Sequence, residues 1–284
     1  MPSKPYAVLI TWNILHRYHE EKYAPGSIIL KNYPIEVKRN KKILAIIKKL
    51  VRKYNKRLIL CMQEVNGDLL NMLYHKFFKK YYIVTYQHNR TPKKKGTKNI
   101  YNDPREYLVT MISRSFGAYT YDSYQYKKKG KALLVTKLNK LTIINTHIAP
   151  PFTFKSGKDD FINIVIKKYV YSKYDKKKVV VTGDFNRTMI QAYKQMYYAR
   201  KLKNLSCFVD TQHMKPKSVE IRNKSYDHIL GFNGVYFDHS RIARVKLASD
   251  HNVVITYVFI KQHKNKPAVK KCKETKEMFK KYIK

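Results

Sequence analysis

Short apolar runs rich in β-branched residues recur along the chain, each followed at once by polar residues. They are Tyr6–Ile10, Leu58–Met62, Tyr107–Ile112, Leu141–Asn145, Val179–Thr182 and Val253–Ile260. Runs of this length and composition predict strands buried on both faces. Lys41–Tyr54 instead places apolar residues at 43, 44, 46, 47, 50, 51 and 54 with lysines opposite, which predicts an amphipathic helix. Asp159–Tyr171, carrying Phe161, Ile162, Ile164, Val165 and Ile166, predicts a second helix. Strands and helices alternate, so an α/β or mixed layered fold is expected. Asn89–Asp103 is polar and turn-rich and reads as a surface loop, and Lys127–Lys131 reads as a tight basic turn between strands. No internal repeat or linker divides the body. The expectation is one domain over residues 1–260, followed by a basic tail or helix at 261–284 outside the core.

The length of 284 residues and a 44% hydrophobic content allow a packed core, which excludes a disordered polymer. The apolar run at Ala7–Ile10 is too short for a secretory signal, and no run approaches the roughly 18 residues of a spanning helix. The three cysteines (Cys61, Cys207 and Cys272) are too few for a disulfide framework and lack CxxC spacing. That excludes a structural zinc knot and points to a reducing compartment, nuclear or cytoplasmic, rather than to secretion. With 60 Lys+Arg against 19 Asp+Glu, the formal net charge is +41. A positive excess of this size attracts polyanions such as nucleic acid. The abundance of Lys, Asn, Ile and Tyr is also what an AT-rich genome produces, and lysine from that origin would still act on nucleic acid.

In so basic a chain the positions of the acids are informative. Glu64 closes the run LILCMQEV, Asp184 follows VVVTG, Asp227 precedes HIL, and Asp250 stands just before NVVITYVFI. Carboxylates at strand ends line the cleft where strands converge. Gathered together, they form a hard-oxygen site suited to Mg²⁺ or Mn²⁺. His147 ends the run LTIINTH and His251 follows Asp250. A metal with neighbouring imidazoles suits phosphodiester hydrolysis, in which charge on phosphoryl oxygens must be stabilised and protons moved. The remaining histidines form no HxH or HExxH pattern, which disfavours a zinc hydrolase.

Six short motifs occur in order, each at the end of a strand: Thr-Trp-Asn at 11–13, Gln-Glu at 63–64, Thr-His at 146–147, Gly-Asp-Phe-Asn at 183–186, Tyr-Asp at 226–227 and Ser-Asp-His at 249–251. This set resembles the endonuclease/exonuclease/phosphatase superfamily, the DNase I-like proteins, over roughly residues 6–260. The resemblance implies a four-layered α/β/β/α sandwich of two packed mixed sheets. It also implies that Asn13, Glu64 and Asp250 hold the metal. Asp184 and Asn186 would handle the attacking water and the scissile phosphate. His251, oriented by Asp227, would act as acid or base, and His147 would be a second phosphate-facing imidazole. Glu106, one place from its usual position, would orient His147.

Arg105-Glu106-Tyr107, the segment SYDHIL and the segment GKALLV are similar to the DNase I branch. They make Arg105, Lys129 and Lys131 the nucleic-acid-binding candidates. The wording TWNIL and CMQEV also resembles deadenylase and tyrosyl-DNA phosphodiesterase branches. The expected function is therefore a Mg²⁺- or Mn²⁺-dependent phosphodiesterase, a weakly sequence-selective DNA endonuclease without membrane association. RNA 3′ ends, 5′-tyrosyl-DNA adducts or an inert nucleic-acid-binding scaffold are the alternatives. The predominance of lysine over arginine favours nonspecific phosphate attraction over bidentate base reading.

Overall fold

The computed structural model describes residues 4–54, 57–89, 91, 101–127, 131–150, 159–209, 211, 226–245, 248–260 and 266–283. The strands are β1 (Ala7–Asn13), β2 (Leu58–Asn66), β3 (Tyr81–Gln87), β4 (Glu106–Ser113), β5 (Thr120–Gln125) and β6 (Ala132–Lys137). They continue with β7 (Thr142–His147), β8 (Val179–Asp184), β9 (Leu205–Phe208), β10 (Asp227–Phe232), β11 (Val235–Ala243) and β12 (Val253–Ile260). One six-stranded sheet has the order β11-β12-β1-β2-β4-β3 and the other β5-β6-β7-β8-β10-β9. Both are mixed: β1 and β2 are parallel, as are β7 and β8, while the other pairings are antiparallel.

Two short helices, α1 (Arg17–Tyr23) and α2 (Ile28–Asn32), follow β1. Three apolar clusters account for the layering. Ile43 and Ile47 of α3 (Glu36–Tyr54) and Leu69 and Leu73 of α4 (Gly67–Phe77) pack with Val8, Ile10, Leu60 and Met62 of the first sheet. Leu9, Ile59, Cys61 and Leu108 meet Leu134, Ile143, Val180 and Ile229 between the two sheets. Leu133, Ile144 and Val181 pack with Phe161 and Val165 of a π-helix at Phe161–Lys173 and with Met189 and Met196 of α5 (Met189–Tyr198). The result is the expected α/β/β/α sandwich. Each such aliphatic side chain, when fully buried, stabilises by about 1.5–3 kcal/mol. Strands buried on both faces explain why the sequence reads as continuous apolar runs rather than as alternation.

Local chemistry sets the helix starts. The Asn66 side chain accepts from Leu69 N at the head of α4, and Thr188 and Gln191 form a reciprocal capping box at the head of α5. A polar seam joins the sheets. Gln63 Nε2 donates to Asn145 Oδ1 at 2.7 Å, and Asn145 Nδ2 donates to Val109 O at 3.0 Å and Met62 O at 3.2 Å. These buried hydrogen bonds cross between the sheets and hold them in one relative position.

Two sequence expectations are corrected here. Residues 266–280 form a helix, α6 (Lys266–Lys280), which packs on the body instead of lying outside it: Ala268, Cys272 and Phe279 are buried. Its apolar positions were hidden among lysines, and Phe279 stacks edge-on to Phe208 and Tyr193. Cys207 of β9 and Cys272 of α6 form a disulfide, and Cys61 is the free, buried thiol. Docking of α6 brings together two cysteines 65 positions apart, and this removes the cysteine-count argument for a reducing compartment. The YTYDSYQY segment forms edge strand β5, with Tyr121 exposed. Among the described residues no helix is long and apolar enough to cross a membrane.

Candidate active site

Strand register assembles the site. His147 at the end of β7 is paired with Asp184 at the end of parallel β8, and Asp184 is paired with Asp227 at the start of antiparallel β10. Three residues distant in sequence therefore become lateral neighbours. The close approach of β7 and β8 depends on Gly183, whose φ is +134° and where a Cβ would lie 1.9 Å from Thr146 O. In the other sheet Asn13 is paired with Gln63, and a register shift between Met62 and Val65 marks a bulge. Glu64 in that bulge has φ +57°, a left-handed conformation that a non-glycine residue adopts at a cost.

Asn13 ties the sheets together at this point. Its Nδ2 donates to Glu64 Oε1 at 3.2 Å and to Asp184 Oδ2 at 3.0 Å, while its Oδ1 accepts from Leu15 N. The amide nitrogen thus faces the two carboxylates, so Asn13 sits as a clamp between them. Glu64 Oε2 also accepts from His16 N at 2.9 Å. Asp184 Oδ1 accepts from Asn186 N at 2.8 Å, and Asn186 Nδ2 donates to Ile148 O at 2.7 Å.

His147 Nε2 stands 3.5 Å from both Glu64 Oε1 and Asp184 Oδ2, and these three residues form a group able to hold a cation. Lys131, next to the strand position paired with His147, places its Nζ against His147 Nε2. Behind the ring, Glu106 Oε1 lies 4.0 Å from His147 Nδ1. Glu106 is therefore on the expected side of His147, beyond hydrogen-bond distance.

The second imidazole is held more tightly. His251 Nδ1 donates to Asp227 Oδ2 at 2.6 Å, and His251 Nε2 is 3.7 Å from Asp250 Oδ1. The segment carrying Asp250 and His251 is fixed beside β1. Ser249 Oγ donates to Asn13 O at 2.8 Å, and Trp12 Nε1 donates to His251 O at 3.1 Å. Asp250 does not join the carboxylates gathered round Glu64 among the described residues.

Burial and neighbouring charge push these groups apart in acidity. Burial works against ionising Glu64, but the charges of His19 and Lys131 and the hydrogen bond from His16 N hold it well below the usual carboxylate range. Burial, with the charge of Asp227 added, raises Asp184 to about 6, against the opposing effect of His251. Burial and Lys131 hold His147 well below the ordinary histidine value, so it is neutral. Burial acts the same way on His251, but Asp227 and Asp250 outweigh it and raise His251 well above that value. The site therefore offers one ionised carboxylate, one carboxyl poised near neutrality, one neutral imidazole and one imidazolium.

Of the nucleic-acid-binding candidates, Lys131 reaches the site. Arg105 is exposed and makes a bidentate pair with Asp103, and Lys129 lies outside the described residues. Sequence reasoning missed several contributors. Buried Arg39 pairs with Glu36 and donates to the backbone oxygens of Ile14, Leu15 and Ala248, bracing the loops on either side of the site. His19 Nε2 lies 2.9 Å from Glu106 Oε2, and His88 Nε2 lies 3.8 Å from Glu106 Oε1. His16 and His19 closely follow the Thr-Trp-Asn motif, and that proximity was the available signal. His88 follows a strand whose mixed polarity concealed it. A groove of about 480 Å³ lined by Val37, Leu44, Met72 and His75 contains none of these residues.

No family model matches the sequence, and no curated protein is similar to it in sequence. Solved structures are similar in fold. An endonuclease/exonuclease/phosphatase family protein from Leptotrichia buccalis C-1013-b is 16% identical with a TM-score of 0.58, covering 89% of this chain and 100% of its own. D. rerio TDP2 complexed with single-strand DNA product is 13% identical with a TM-score of 0.53, covering 89% of this chain and 98% of its own. ANGEL2, a 2′,3′-cyclic phosphatase, in complex with adenosine-2′,3′-vanadate, is 11% identical with a TM-score of 0.58, covering 89% of this chain and 95% of its own. The chain shares the DNase I-like α/β sandwich fold of these structures.

Proposed function

We propose that the protein is a divalent-metal-dependent phosphodiesterase that hydrolyses nucleic-acid phosphodiester bonds, with DNA as substrate and internal cleavage as the mode. The observation that carries this reading is the convergence of Glu64, Asp184 and His147 at the strand ends, with Asp227 on the strand beside Asp184 holding His251. The fold is host to more than one chemistry, so the argument rests on these side chains.

The donor set fits a hard dication: two buried carboxylates meet here, one of them held ionised. Glu64 would hold Mg²⁺ or Mn²⁺, with Asp184 as the adjoining carboxylate. The ion's contribution would be to neutralise charge developing on phosphoryl oxygens. Asn13 holds Glu64 and Asp184 in one relative position. Asp184, ionised above about pH 6, accepts a proton from the attacking water. As the water oxygen bonds to phosphorus, the bond from phosphorus to the leaving oxygen breaks, and His251 Nε2 gives its proton to that oxygen. Asp227 keeps the His251 proton-bearing ring in place throughout. Lys131 would supply positive charge, and the neutral His147 hydrogen-bonding capacity, to the phosphate beside them.

The net charge of +41 supports a polyanion as substrate, since each neutralised phosphate releases counterions that drive binding. The D. rerio TDP2 complex with single-strand DNA product supports DNA. The ANGEL2 complex favours a second reading, cleavage of phosphate at RNA ends. Supercoiled plasmid, single-stranded DNA, a 5′-tyrosyl oligonucleotide and RNA ending in a 2′,3′-cyclic phosphate should be compared in Mg²⁺ and Mn²⁺. EDTA and His251→Ala serve as controls. Metal-dependent plasmid nicking that His251→Ala abolishes is expected. Turnover confined to the RNA end would replace DNA as the substrate, and no turnover on any of the four would sink the enzymatic reading.

A further inference from the structure

Behind His147 lies a second group of ligating atoms that the phosphodiesterase chemistry does not use. His88 follows β3 and its backbone N donates to Glu106 O at 2.9 Å, which anchors it beside the start of β4. Glu106 belongs to the first sheet and His147 to the second, so the two sheet ends face each other here. Glu106 Oε1 is 3.8 Å from His88 Nε2 and 4.0 Å from His147 Nδ1, and the three ligand atoms lie within 4.8 Å of one another. All three residues are buried.

We propose that His88, Glu106 and His147 form a site for a borderline d-block dication of the Zn²⁺ class, separate from the carboxylate site on the other side of His147. Three features support it. Among the described residues, neither Glu106 Oε1 nor His147 Nδ1 has a hydrogen-bond partner, although both are buried. A buried polar atom left without a partner is costly, and a shared cation would satisfy both. The separations are too long for hydrogen bonds, yet they are close to those around a small metal. Ligand bonds of about 2.0–2.1 Å in tetrahedral array place donors roughly 3.4 Å apart, so the two separations from Glu106 Oε1 need to close by about half an ångström. Two imidazoles and one carboxylate also select zinc-class metals over Mg²⁺, which takes oxygen.

The protonation states agree with this geometry. The hydrogen bond from His19 leads the effects that outweigh burial and hold Glu106 down at about 2, and His147 is neutral. His19, bonded to Glu106 Oε2, orients the carboxylate from behind, as outer-shell partners of metal ligands do. An ion on His147 Nδ1 would leave the ring's proton on Nε2, facing Glu64 and Asp184, and Lys131 Nζ would then have to turn away from Nε2. The site would therefore set the hydrogen-bonding character of the imidazole that fronts the candidate active site.

The site stands independently of the phosphodiesterase reading, and binding rather than turnover tests it. The full chain, stripped of metal, should be titrated with Co²⁺ as a visible stand-in for Zn²⁺, alongside a Glu64→Gln/Asp184→Asn double variant, His88→Ala and His88→Cys. The expected result is Co²⁺ binding with d–d absorption that persists, at one ion per chain, in the double variant and is weakened at least tenfold in His88→Ala. His88→Cys should restore binding and add a thiolate-to-cobalt charge-transfer band. If His88→Ala does not fold, the double variant and the cysteine band decide. Binding lost in the double variant would assign the ion to the carboxylate site and overturn the proposal. Absence of binding by the folded wild-type chain, or of the thiolate band in folded His88→Cys, would also overturn it, leaving Glu106 as an ion-pair partner of the histidines alone.

Discussion

His251 Nδ1 and Asp227 Oδ2 stand 2.6 Å apart, with the imidazole supplied by the loop before β12 in one sheet and the carboxylate by β10 in the other. The pair fixes the ring's tautomer and raises its basicity. Asp227→Asn removes that charge while keeping the shape. It should lower kcat by about 10²–10⁴-fold, in the range of general acid–base contributions, with little change in KM. NMR titration should show the His251 value moving down. An unchanged kcat would remove His251 from proton transfer.

The two proton carriers predict a bell-shaped pH profile. Asp184 must be ionised to accept a proton, so activity should rise as pH passes about 6. His251 must be protonated, so activity should fall as pH passes its raised value. Stability follows the same sign for His251. A histidine raised on folding stabilises fully below its unfolded value near 6.5, and that contribution is lost as pH rises through the folded value. Urea midpoints of wild type and Asp227→Asn should therefore converge at high pH, and a constant gap between them would contradict the assignment.

Arg39 shows how the site is braced from outside. Arg39→Met leaves Glu36 and the carbonyls of Ile14, Leu15 and Ala248 without their donor. Removing one partner of a buried ion pair costs about 3–5 kcal/mol. Denaturation should show that loss, and activity should fall as well because the carbonyls belong to loops flanking Asn13 and Ser249. Retention of wild-type stability would show that water replaces the guanidinium.

Lys131 should act through charge. Lys131→Ala should weaken nucleic-acid binding roughly evenly across sequences. It should reduce the salt slope by about 0.9 for duplex DNA or about 0.7 for single strands. It should also let the His147 value rise, because Lys131 is one of the charges that hold it down. A salt slope identical to wild type would take Lys131 off the phosphate path.

The disulfide makes a prediction about α6. Cys207 and Cys272 close a loop of 65 residues, and removing a bridge of this kind costs about 2–4 kcal/mol. Cys272→Ser should lower the denaturation midpoint, and reductant should then have no further effect. If reductant shifts the variant as much as the wild type, the effect lies elsewhere.

The sequence by itself determined the strand cores and marked the side chains of the candidate site. Runs such as Val179–Thr182 and Val253–Ile260 are legible because strands buried on both faces must be apolar throughout. The six ordered motifs pointed to the DNase I-like sandwich, and the expected residues His147, Asp184, Asp227 and His251 do meet at the strand ends. What only the tertiary structure decided depends on contacts between distant segments. α6 carries so few apolar residues that its docking was invisible until Cys272 and Phe279 met β9 and its neighbours. Asn13 was expected to be a metal ligand, yet its amide nitrogen faces Glu64 and Asp184 because Leu15 N claims its oxygen. Arg39, His19 and His88 carry no local signature of a role, since a side chain's partners across two sheets do not follow from its neighbours in sequence. Local pattern records what a residue must be buried with, whereas strand register and loop geometry decide which charge it will face.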